Sequence, residues 1–343
     1  MIWFDLDNSP HVPLFRPVFG ELAGTGMQYV VTARNFAQTI DLLKYWNIPH
    51  TPMGVHGGKS KIKKVANILN RANQLKKFCK GKDISLAVSH GSRSQLVCAK
   101  MMKIPSMLML DYEYTEAKIF NKLATNLLMP SFIPDERLKS AGFNLEKVIR
   151  YNGFKEELYL NTFVPDKDFR KKIGVPDENI LVVFRPPGMT GNYHDVRSEN
   201  LLISALEYVS SVKDAICLIV NRGETEKKYI LNKIKPKENI IFLKDAVDGL
   251  QLLYSADLAI SGGGTMNRES ALLGTKTYSI FTGKRPYLDE YLESLGRLKF
   301  INAADEIHSI PVEKANGKKI YNFNPGLAKI ISGLLIEYSK SRG

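Results

Sequence analysis

The segment with the clearest chemical potential joins a short apolar run, residues 258–261, to three consecutive glycines and a helical pattern. The glycines are Gly262, Gly263 and Gly264, and Thr265 follows them. Glycine lets the backbone approach a ligand closely. A helix that begins at such a loop points unpaired N–H groups and the positive end of its dipole at the ligand. The pattern therefore predicts an anion site.

Two polar residues, Asn267 and Glu269, fall at the start of that predicted helix. Both can contact a ligand whose phosphates occupy the loop, and Glu269 can accept a hydrogen bond from a ribose hydroxyl. The structural alternative is that the glycines only make a tight turn, and that Glu269 is an N-terminal carboxylate that suits the helix dipole. The loop alone does not decide between these interpretations.

A second polar segment follows the first apolar run, residues 2–6, and contains Asp7, Asn8 and His11. Histidine titrates near neutral pH, so His11 is a candidate general base, with Asp7 as its helper. Equally, Asp7, Asn8 and Ser9 can cap the next helix while His11 is a surface turn residue. The spacing Asp5-x-Asp7-x-Ser9 also resembles the nucleophile motif of haloacid-dehalogenase-type phosphatases, which makes a phosphatase a weaker rival.

Three further loops carry polar groups after predicted strands. His90 and Ser92 follow one strand, and Asp111 and Glu113 follow the next. Carboxylates there suit acid–base chemistry or hydroxyl recognition, although capping the helix that starts near Ile119 is the commoner outcome. In the second half, the loop after residues 180–184 contains Arg185 and His194. An arginine can hold a phosphate through two hydrogen bonds, so this loop can complete a diphosphate site.

Strand-like and helix-like runs alternate along the chain, which predicts an α/β protein with parallel sheets. Its 343 residues suggest two domains. We predict domains at residues 1–162 and 179–324, a linker at 163–178 and a closing helix within 325–343. Ligands of such sheets bind beyond the carboxyl ends of the strands, so two facing domains predict a cleft. The expected strands are residues 2–6, 29–33, 86–90, 106–110, 127–133, 148–151, 180–184, 215–220, 240–243, 258–261, 277–281 and 300–302.

Composition limits the class of protein. The sequence shows no apolar run of about eighteen residues and no signal-like start, so we expect a cytoplasmic protein. Cys79, Cys98 and Cys217 are scattered in apolar surroundings, which favours reduced core cysteines over disulfides or zinc ligands. We expect no metal site and no cofactor.

The net charge of +13 is concentrated in one segment, residues 59–82. Bounded by Lys59 and Lys82, it holds eight lysines and Arg71, and it contains no acidic residue. Apolar residues recur at helical spacing, which predicts an amphipathic basic helix. A solvated face is the commonest explanation, and an anionic membrane surface or a lipid-linked acceptor at the inner membrane face is the second. Nucleic acid is not an expected partner, because no binding motif accompanies the charge. The expected apolar stripe is Ile62, Val65, Leu69 and Ala72.

Taken together, the layout resembles the GT-B fold of nucleotide-sugar enzymes. The segment 256–275 is similar to the sugar-nucleotide loop of MurG-like glycosyltransferases and of non-hydrolysing UDP-N-acetylglucosamine 2-epimerases. In both groups the loop backbone holds the phosphates and the early-helix glutamate holds the ribose. The resemblance assigns those roles to Gly263, Gly264, Thr265 and Glu269.

The chain is most similar to an uncharacterised prokaryotic family of GT-B-like proteins, on five matching segments. It lacks the N-terminal glycine-rich loop of MurG-like enzymes. It also lacks the His-Arg-Arg-Glu-Asn segment of the epimerases, and it has Asp111-Tyr-Glu113 where they have Glu-Ala-Gly. The matching segments are Asp5 with Asn8-Ser-Pro-His-Val12, Thr32-Ala-Arg34, Tyr151-Asn-Gly-Phe-Lys-Glu156, Arg185-Pro-Pro187 and Tyr193-His194.

The resemblance implies a metal-independent glycosyltransferase that uses a nucleotide sugar, with uridine diphosphate as the expected nucleotide. His11, helped by Asp7 or Asp111, would deprotonate the acceptor, and Asn8, His90 and Ser92 would lie on the acceptor side. An epimerase that uses Asp111, Glu113 and His194 is the alternative within the same fold. A non-catalytic protein that binds sugar nucleotides or a membrane surface is the alternative of another class. No feature of the sequence indicates the oligomeric state.

Overall fold

The structure is a computed structural model that describes residues 1–55, 61–188, 195–243, 247–318 and 320–340, with side chains except for Val55 and residues 61–64. Backbone contacts divide the chain into two compact units. Unit 1 comprises Met1–Asn161 and Phe323–Gly343, and unit 2 comprises Thr162–Asn322.

Unit 1 contains a parallel sheet of seven strands in the order β3-β2-β1-β4-β5-β6-β7. Strand β1 lies at its centre and pairs in parallel with β2 and β4. All of its residues are buried, as expected for a strand covered by helices on both faces. The strands are β1 (Ile2–Leu6), β2 (Tyr29–Asn35), β3 (Thr51–Val55), β4 (Leu86–His90), β5 (Ser106–Met109), β6 (Asn126–Pro130) and β7 (Val148–Tyr151).

Helices connect successive strands, so all strands run parallel and their carboxyl ends lie on one side of the sheet. They are α1 (His11–Gly24), α2 (Thr39–Tyr45), α3 (Lys61–Cys79), α4 (Arg93–Met102), α5 (Ala117–Leu123), α6 (Asp135–Ser140) and α7 (Glu157–Leu160). A 3-10 turn at Leu145–Lys147 precedes β7.

Unit 2 contains a parallel sheet of six strands in the order β10-β9-β8-β11-β12-β13. Its strands are β8 (Ile180–Arg185), β9 (Ala215–Ile219), β10 (Ile240–Phe242), β11 (Leu258–Ser261), β12 (Lys276–Ser279) and β13 (Leu298–Phe300). Its helices are α8 (Phe169–Lys172), α9 (Val196–Val209), α10 (Glu224–Lys233), α11 (Gly249–Ser255), α12 (Gly264–Leu272) and α13 (Tyr287–Ser294), with a 3-10 helix at Ala304–Ser309.

The last helix, α14 (Leu327–Lys340), belongs to unit 1. Its apolar residues Leu327, Ile331 and Leu335 share one buried cluster with Phe15 and Leu22 of α1. Its side chains thus complete the core of unit 1.

The expected pair of parallel-sheet domains is confirmed, with differences at element ends. Strand β3 is not among the expected strands, because Pro52 interrupts its apolar pattern. The strand lies at the edge of the sheet, where a proline is tolerated. The helix expected to start near Ile119 begins at Ala117 and ends at Leu123, because Asn126 already pairs with Met107 in the sheet.

Residues 163–178, for which we predicted a linker, pack within unit 2. The Arg170 guanidinium forms an ion pair with the buried Asp257, and the Asp166 N–H donates to Gln251 Oε1. The three cysteines are free and buried. Among the described residues, no helix is long and apolar enough to cross a bilayer.

Candidate functional site

The site in unit 1 is built around Asp5, which lies on the central strand β1 and is fully buried. Arg71 of α3 donates from both terminal nitrogens to the two Asp5 oxygens at 2.7 Å. The hydroxyls of Thr32 and Ser92 each donate to Asp5 at 2.6 Å. Burial alone would raise the pKa of Asp5, but the charge and hydrogen bonds of Arg71 outweigh it and lower the pKa. Asp5 is therefore a buried carboxylate whose two oxygens both accept hydrogen bonds.

This geometry argues against the phosphatase alternative. A nucleophilic Asp5 would have to present an oxygen to phosphorus, whereas both oxygens are occupied in a fully buried network. The carboxylate holds α3 and the loop at Ser92 against the sheet.

Asp7 lies beside this network, directly after the carboxyl end of the central strand β1. Its Oδ1 is 2.9 Å from Arg34 Nε and 3.3 Å from Arg71 Nη1. Burial and the nearby charge of Asp5 raise the pKa of Asp7, and the two guanidinium groups offset only part of that rise. Arg34 belongs to the Thr32-Ala-Arg34 segment, so this segment and Asp5 meet at one place.

His11 is the first residue of α1, and its ring accepts a hydrogen bond at Nδ1 from the Asp7 N–H at 3.2 Å. Burial, then the imidazole of His90 and the charge of Lys155, lower the pKa of His11 well below its ordinary value. A helix N-terminus also disfavours the cationic ring. His11 is thus neutral near pH 7, and because Nδ1 accepts, the ring carries its proton on Nε2.

His90, at the end of β4, lies against His11 with ring centroids 5.1 Å apart. Its Nε2 is 3.1 Å from Asp111 Oδ1, and Lys155 Nζ is 2.6 Å from the other oxygen of Asp111. A carboxylate that accepts from Nε2 leaves the His90 Nδ1 as the nitrogen able to take a proton. The structure therefore brings together His11, His90 and Asp111 of the predicted residues.

The other predicted residues of unit 1 have different environments. Ser92 is buried and caps α4, where its oxygen accepts from the Gln95 N–H. Glu113 is also fully buried. Asn8 is exposed, and its side chain accepts a hydrogen bond from the Ser9 N–H. Ser92 thus positions the loop, whereas Asn8 faces solvent.

In unit 2, the triple-glycine loop lies between β11 and α12, as predicted. A Cβ on Gly262 would lie 2.7 Å from Pro187 Cα, so this position needs glycine to let the β8 loop pass. A Cβ on Gly263 would lie 3.7 Å from its nearest neighbour, Arg222 Nη2, and the Gly263 N–H donates to Ser261 Oγ. Helix α12 begins at Gly264, and its first N–H groups have no acceptor within the helix.

Two guanidinium groups flank this loop. Arg185 ends β8 and donates to the Val220 carbonyl at 2.7 Å. Arg222 follows β9, where it donates to the Pro186 carbonyl at 2.9 Å and pairs with Glu226. Burial, and next the charge of Arg222, lower the pKa of Arg185 to about 10. Glu226 offsets part of this positive charge, and the remaining charge together with the N–H groups of α12 favours a bound anion.

Asn267 and Glu269 occupy different faces of α12. Asn267 is fully buried, and its amide donates to Ser279 Oγ at 3.0 Å and to Asp289 Oδ2 at 3.3 Å. It therefore ties α12 to β12 and α13. Glu269 is partly exposed, as is Thr265, and its charge opposes the lowering of the Arg185 pKa.

His194 lies outside the described residues. Within the described residues, no group of three or more His, Cys, Asp or Glu side chains is placed to hold a metal ion.

Three residues of these sites were not predicted from the sequence. Arg222 lies three residues after strand β9, so its position in a carboxyl-end loop was a readable signal. Lys155 lies in the Tyr151–Glu156 segment, but nothing local indicated its pairing with Asp111. Arg71 was counted among the charges of the basic helix, and only the fold brings it to Asp5.

The two parallel-sheet Rossmann-type domains have the fold of GT-B enzymes. The chain belongs to the family described as "Protein of unknown function (DUF354)", whose profile matches residues 1–340. A curated relative, "Uncharacterized protein MJ0665" of Methanocaldococcus jannaschii, is 29% identical over 328 residues, which is 93% of this chain and 92% of the relative.

Two solved structures of enzymes are similar in fold to this chain. The UDP-GlcNAc 2-epimerase of Methanocaldococcus jannaschii, in complex with UDP-GlcNAc and UDP, is similar with a TM-score of 0.75 and 13% identity. That comparison covers 98% of this chain and 99% of the epimerase. The glycotransferase of kitacinnamycin is similar with a TM-score of 0.59 and 14% identity, over 100% of this chain and 95% of that enzyme.

Proposed function

We propose that this protein is a metal-independent glycosyltransferase that uses a UDP-sugar and needs no cofactor. One observation carries the proposal: Arg185 lies beside Ser261 and Arg222 Nη2 lies 3.7 Å from where a Gly263 Cβ would be, so both arginines are next to the glycine loop at which α12 begins. Helix N–H groups and two guanidinium groups together form a site for a diphosphate. In the reaction they would stabilise the charge of the departing nucleoside diphosphate.

Two observations support UDP as the nucleotide of the donor. Glu269 is partly exposed on α12 and suits a ribose hydroxyl. The epimerase with the same fold is described with UDP-GlcNAc and UDP bound, which makes UDP the first nucleotide to test.

The acid–base chemistry is proposed for unit 1. His90 is the general base, because Asp111 holds its ring through Nε2 and leaves Nδ1 to take the proton from the hydroxyl group of the acceptor substrate. Lys155 holds Asp111 in place. His11 is the hydrogen-bond donor through Nε2–H, a different role from the base expected from the sequence, because its Nδ1 already accepts from Asp7.

Isothermal titration with UDP tests the nucleotide site. We expect micromolar affinity for the unmodified protein and a loss of roughly 10- to 100-fold for Arg222→Ala, because hydrogen bonds to charged groups contribute about 1.5–3 kcal/mol. Lys228→Ala, an exposed change on the adjoining helix α10, is the matched control and should leave affinity unchanged. Absence of UDP binding, or equal affinity in both variants, would contradict the proposal.

A UDP-sugar epimerase is the second candidate, because the epimerase comparison has a TM-score of 0.75 against 0.59 for the glycotransferase. Incubation with UDP-GlcNAc alone separates the two reactions, since epimerisation requires no acceptor. A transferase leaves the sugar's configuration unchanged in that experiment. UDP binding without turnover of any donor would instead favour the non-catalytic binding protein.

A further inference from the structure

A cavity of about 390 Å³ opens in unit 1 beside the carboxyl ends of β2 and β3 and against α3. Four carboxamide residues line it: Asn35 from the end of β2, and Asn67, Asn70 and Gln74 from α3. The three helical residues lie at spacings of three and four, so they share one face of α3. Pro52 and Met53 of β3 add apolar surface.

The wall of this cavity is electrically balanced. Arg71 lines it, but its two terminal nitrogens bind Asp5 and its Nε donates to the Met53 carbonyl at 2.8 Å. The guanidinium passes over Gly54, where a Cβ would lie 2.8 Å from Arg71 Cδ and where φ is +77°. Arg71 is therefore fixed as part of the wall. The described lining residues include no lysine and no carboxylate, so these residues offer no unbalanced charge to an ionic ligand.

The lining instead suits hydroxyl groups. The carboxamides of Asn35, Asn70 and Gln74 each carry two N–H donors and one carbonyl acceptor, and a hydroxyl group both donates and accepts. Several amides in one concave surface can therefore satisfy neighbouring hydroxyls of one molecule. Apolar surface beside them accommodates the C–H face of a sugar ring. The volume lies within the range of about 300–1,000 Å³ typical of small-molecule sites.

We propose that this cavity is a binding site for a neutral, hydroxyl-rich ligand, namely a carbohydrate group. Its described lining residues all belong to unit 1, whereas the proposed diphosphate site lies in unit 2. That this carbohydrate is part of the acceptor rests on the proposed transferase function. The binding itself does not.

Saturation-transfer NMR with neutral sugars tests the site, using glucose, galactose, mannose, rhamnose and N-acetylglucosamine and their disaccharides as probes. At least one probe should receive saturation from the unmodified protein. Asn70→Ala and Gln74→Ala should each weaken its binding roughly tenfold, because each removes hydrogen bonds to the ligand. Asn73→Ala is the matched control, since Asn73 is exposed on the same helix and does not line the cavity. It should bind like the unmodified protein.

Three results would overturn the proposal: no binding of any neutral sugar, equal binding in all variants, or displacement of the sugar by inorganic phosphate. UDP titration of the same variants separates this site from the proposed function. We expect UDP affinity to be unchanged in Asn70→Ala and Gln74→Ala. Loss of sugar binding in these variants with intact UDP binding supports the proposed carbohydrate site. If the unmodified protein binds sugar but not UDP, the carbohydrate site is supported and the proposed function is contradicted.

Discussion

At the scale of single residues, the ion pair of Asp5 and Arg71 organises unit 1. The two side chains are 0% and 3% exposed, and their hydrogen bonds are bidentate. Removing one partner of a buried pair leaves an uncompensated charge, which costs far more than the net contribution of the pair.

We expect Arg71→Met to lower the free energy of unfolding by about 3–5 kcal/mol, because Asp5 would remain buried without its partner. Urea denaturation followed by circular dichroism measures this. Lys77→Met, an exposed change on the same helix, should shift stability by less than about 0.5 kcal/mol. Equal stability of the two variants would show that Asp5 is not held by Arg71.

The protonation of His11 gives a second prediction at this scale. Nitrogen-15 NMR should show a neutral His11 ring with its proton on Nε2, and this state should persist as the pH falls below 6.5. The unfolded chain binds a proton near pH 6.5 whereas the folded ring does not. His11 therefore contributes stability above that pH and loses it progressively below. Protonation of folded His11 near pH 6.5, or a proton on Nδ1, would contradict the assigned donor role.

At the scale of elements, the glycines of the β11–α12 loop differ in how much space a side chain would have. We expect Gly262→Ala to weaken UDP binding and to lower the melting temperature, because its Cβ would meet the Pro187 backbone at 2.7 Å. Gly263→Ala has its nearest neighbour at 3.7 Å and should retain the melting temperature. Thermal unfolding and UDP titration of both variants measure the difference, and matching behaviour would contradict this account.

Among the side chains of α3 that the structure describes, residues 65–79, the buried ones lie in the second half of the helix. Ala72, Leu75 and Cys79 lie in the core, whereas Val65 and Leu69 are 59% and 50% exposed. The predicted helix is therefore present, and of its expected apolar residues Ala72 is buried in the core whereas Val65 and Leu69 are exposed. The side chain of Ile62 and the residues Lys59 and Ser60 lie outside the description.

We propose that the first half of α3, where Val65 and Leu69 are exposed and whose sequence contains Lys61, Lys63 and Lys64, binds an anionic membrane surface. The protein should sediment with phosphatidylglycerol vesicles and not with phosphatidylcholine vesicles, and rising salt should weaken the binding. Charge reversal of the three lysines to glutamate should abolish it. Reversal of Lys227 and Lys228 on α10 is the control, and salt-independent sedimentation would contradict the electrostatic mechanism.

At the scale of the whole molecule, the chain leaves unit 1 at residue 161 and returns to it at residue 323. Unit 2 is continuous in sequence, while the core of unit 1 includes apolar residues of α14. The two units therefore differ in what each needs in order to fold.

We expect residues 162–322 to fold as an isolated fragment and residues 1–161 to fold only when residues 323–340 are supplied. Without α14, the apolar surface of α1 would be exposed to water. Two-dimensional NMR and cooperative thermal unfolding of the three fragments measure this. Cooperative unfolding of residues 1–161 alone would contradict the prediction.

Much of the architecture follows from local patterns. Fully apolar runs between helical segments predict buried parallel strands, and the loop at Gly262–Gly264 is predicted because a strand, glycines and a helix follow one another directly. The association of α14 with unit 1 is not predictable in this way, because its apolar face would suit either core.

The sequence by itself determined the two parallel sheets and the glycine loop that begins α12. The tertiary structure alone decided that Arg71 neutralises Asp5 across 66 positions, and that Lys155 and Asp111 hold His90. The physical reason is range. Strand periodicity and turn chemistry act between neighbours in the chain, whereas ion pairs and histidine tautomers depend on which side chains the completed fold places within a few ångströms.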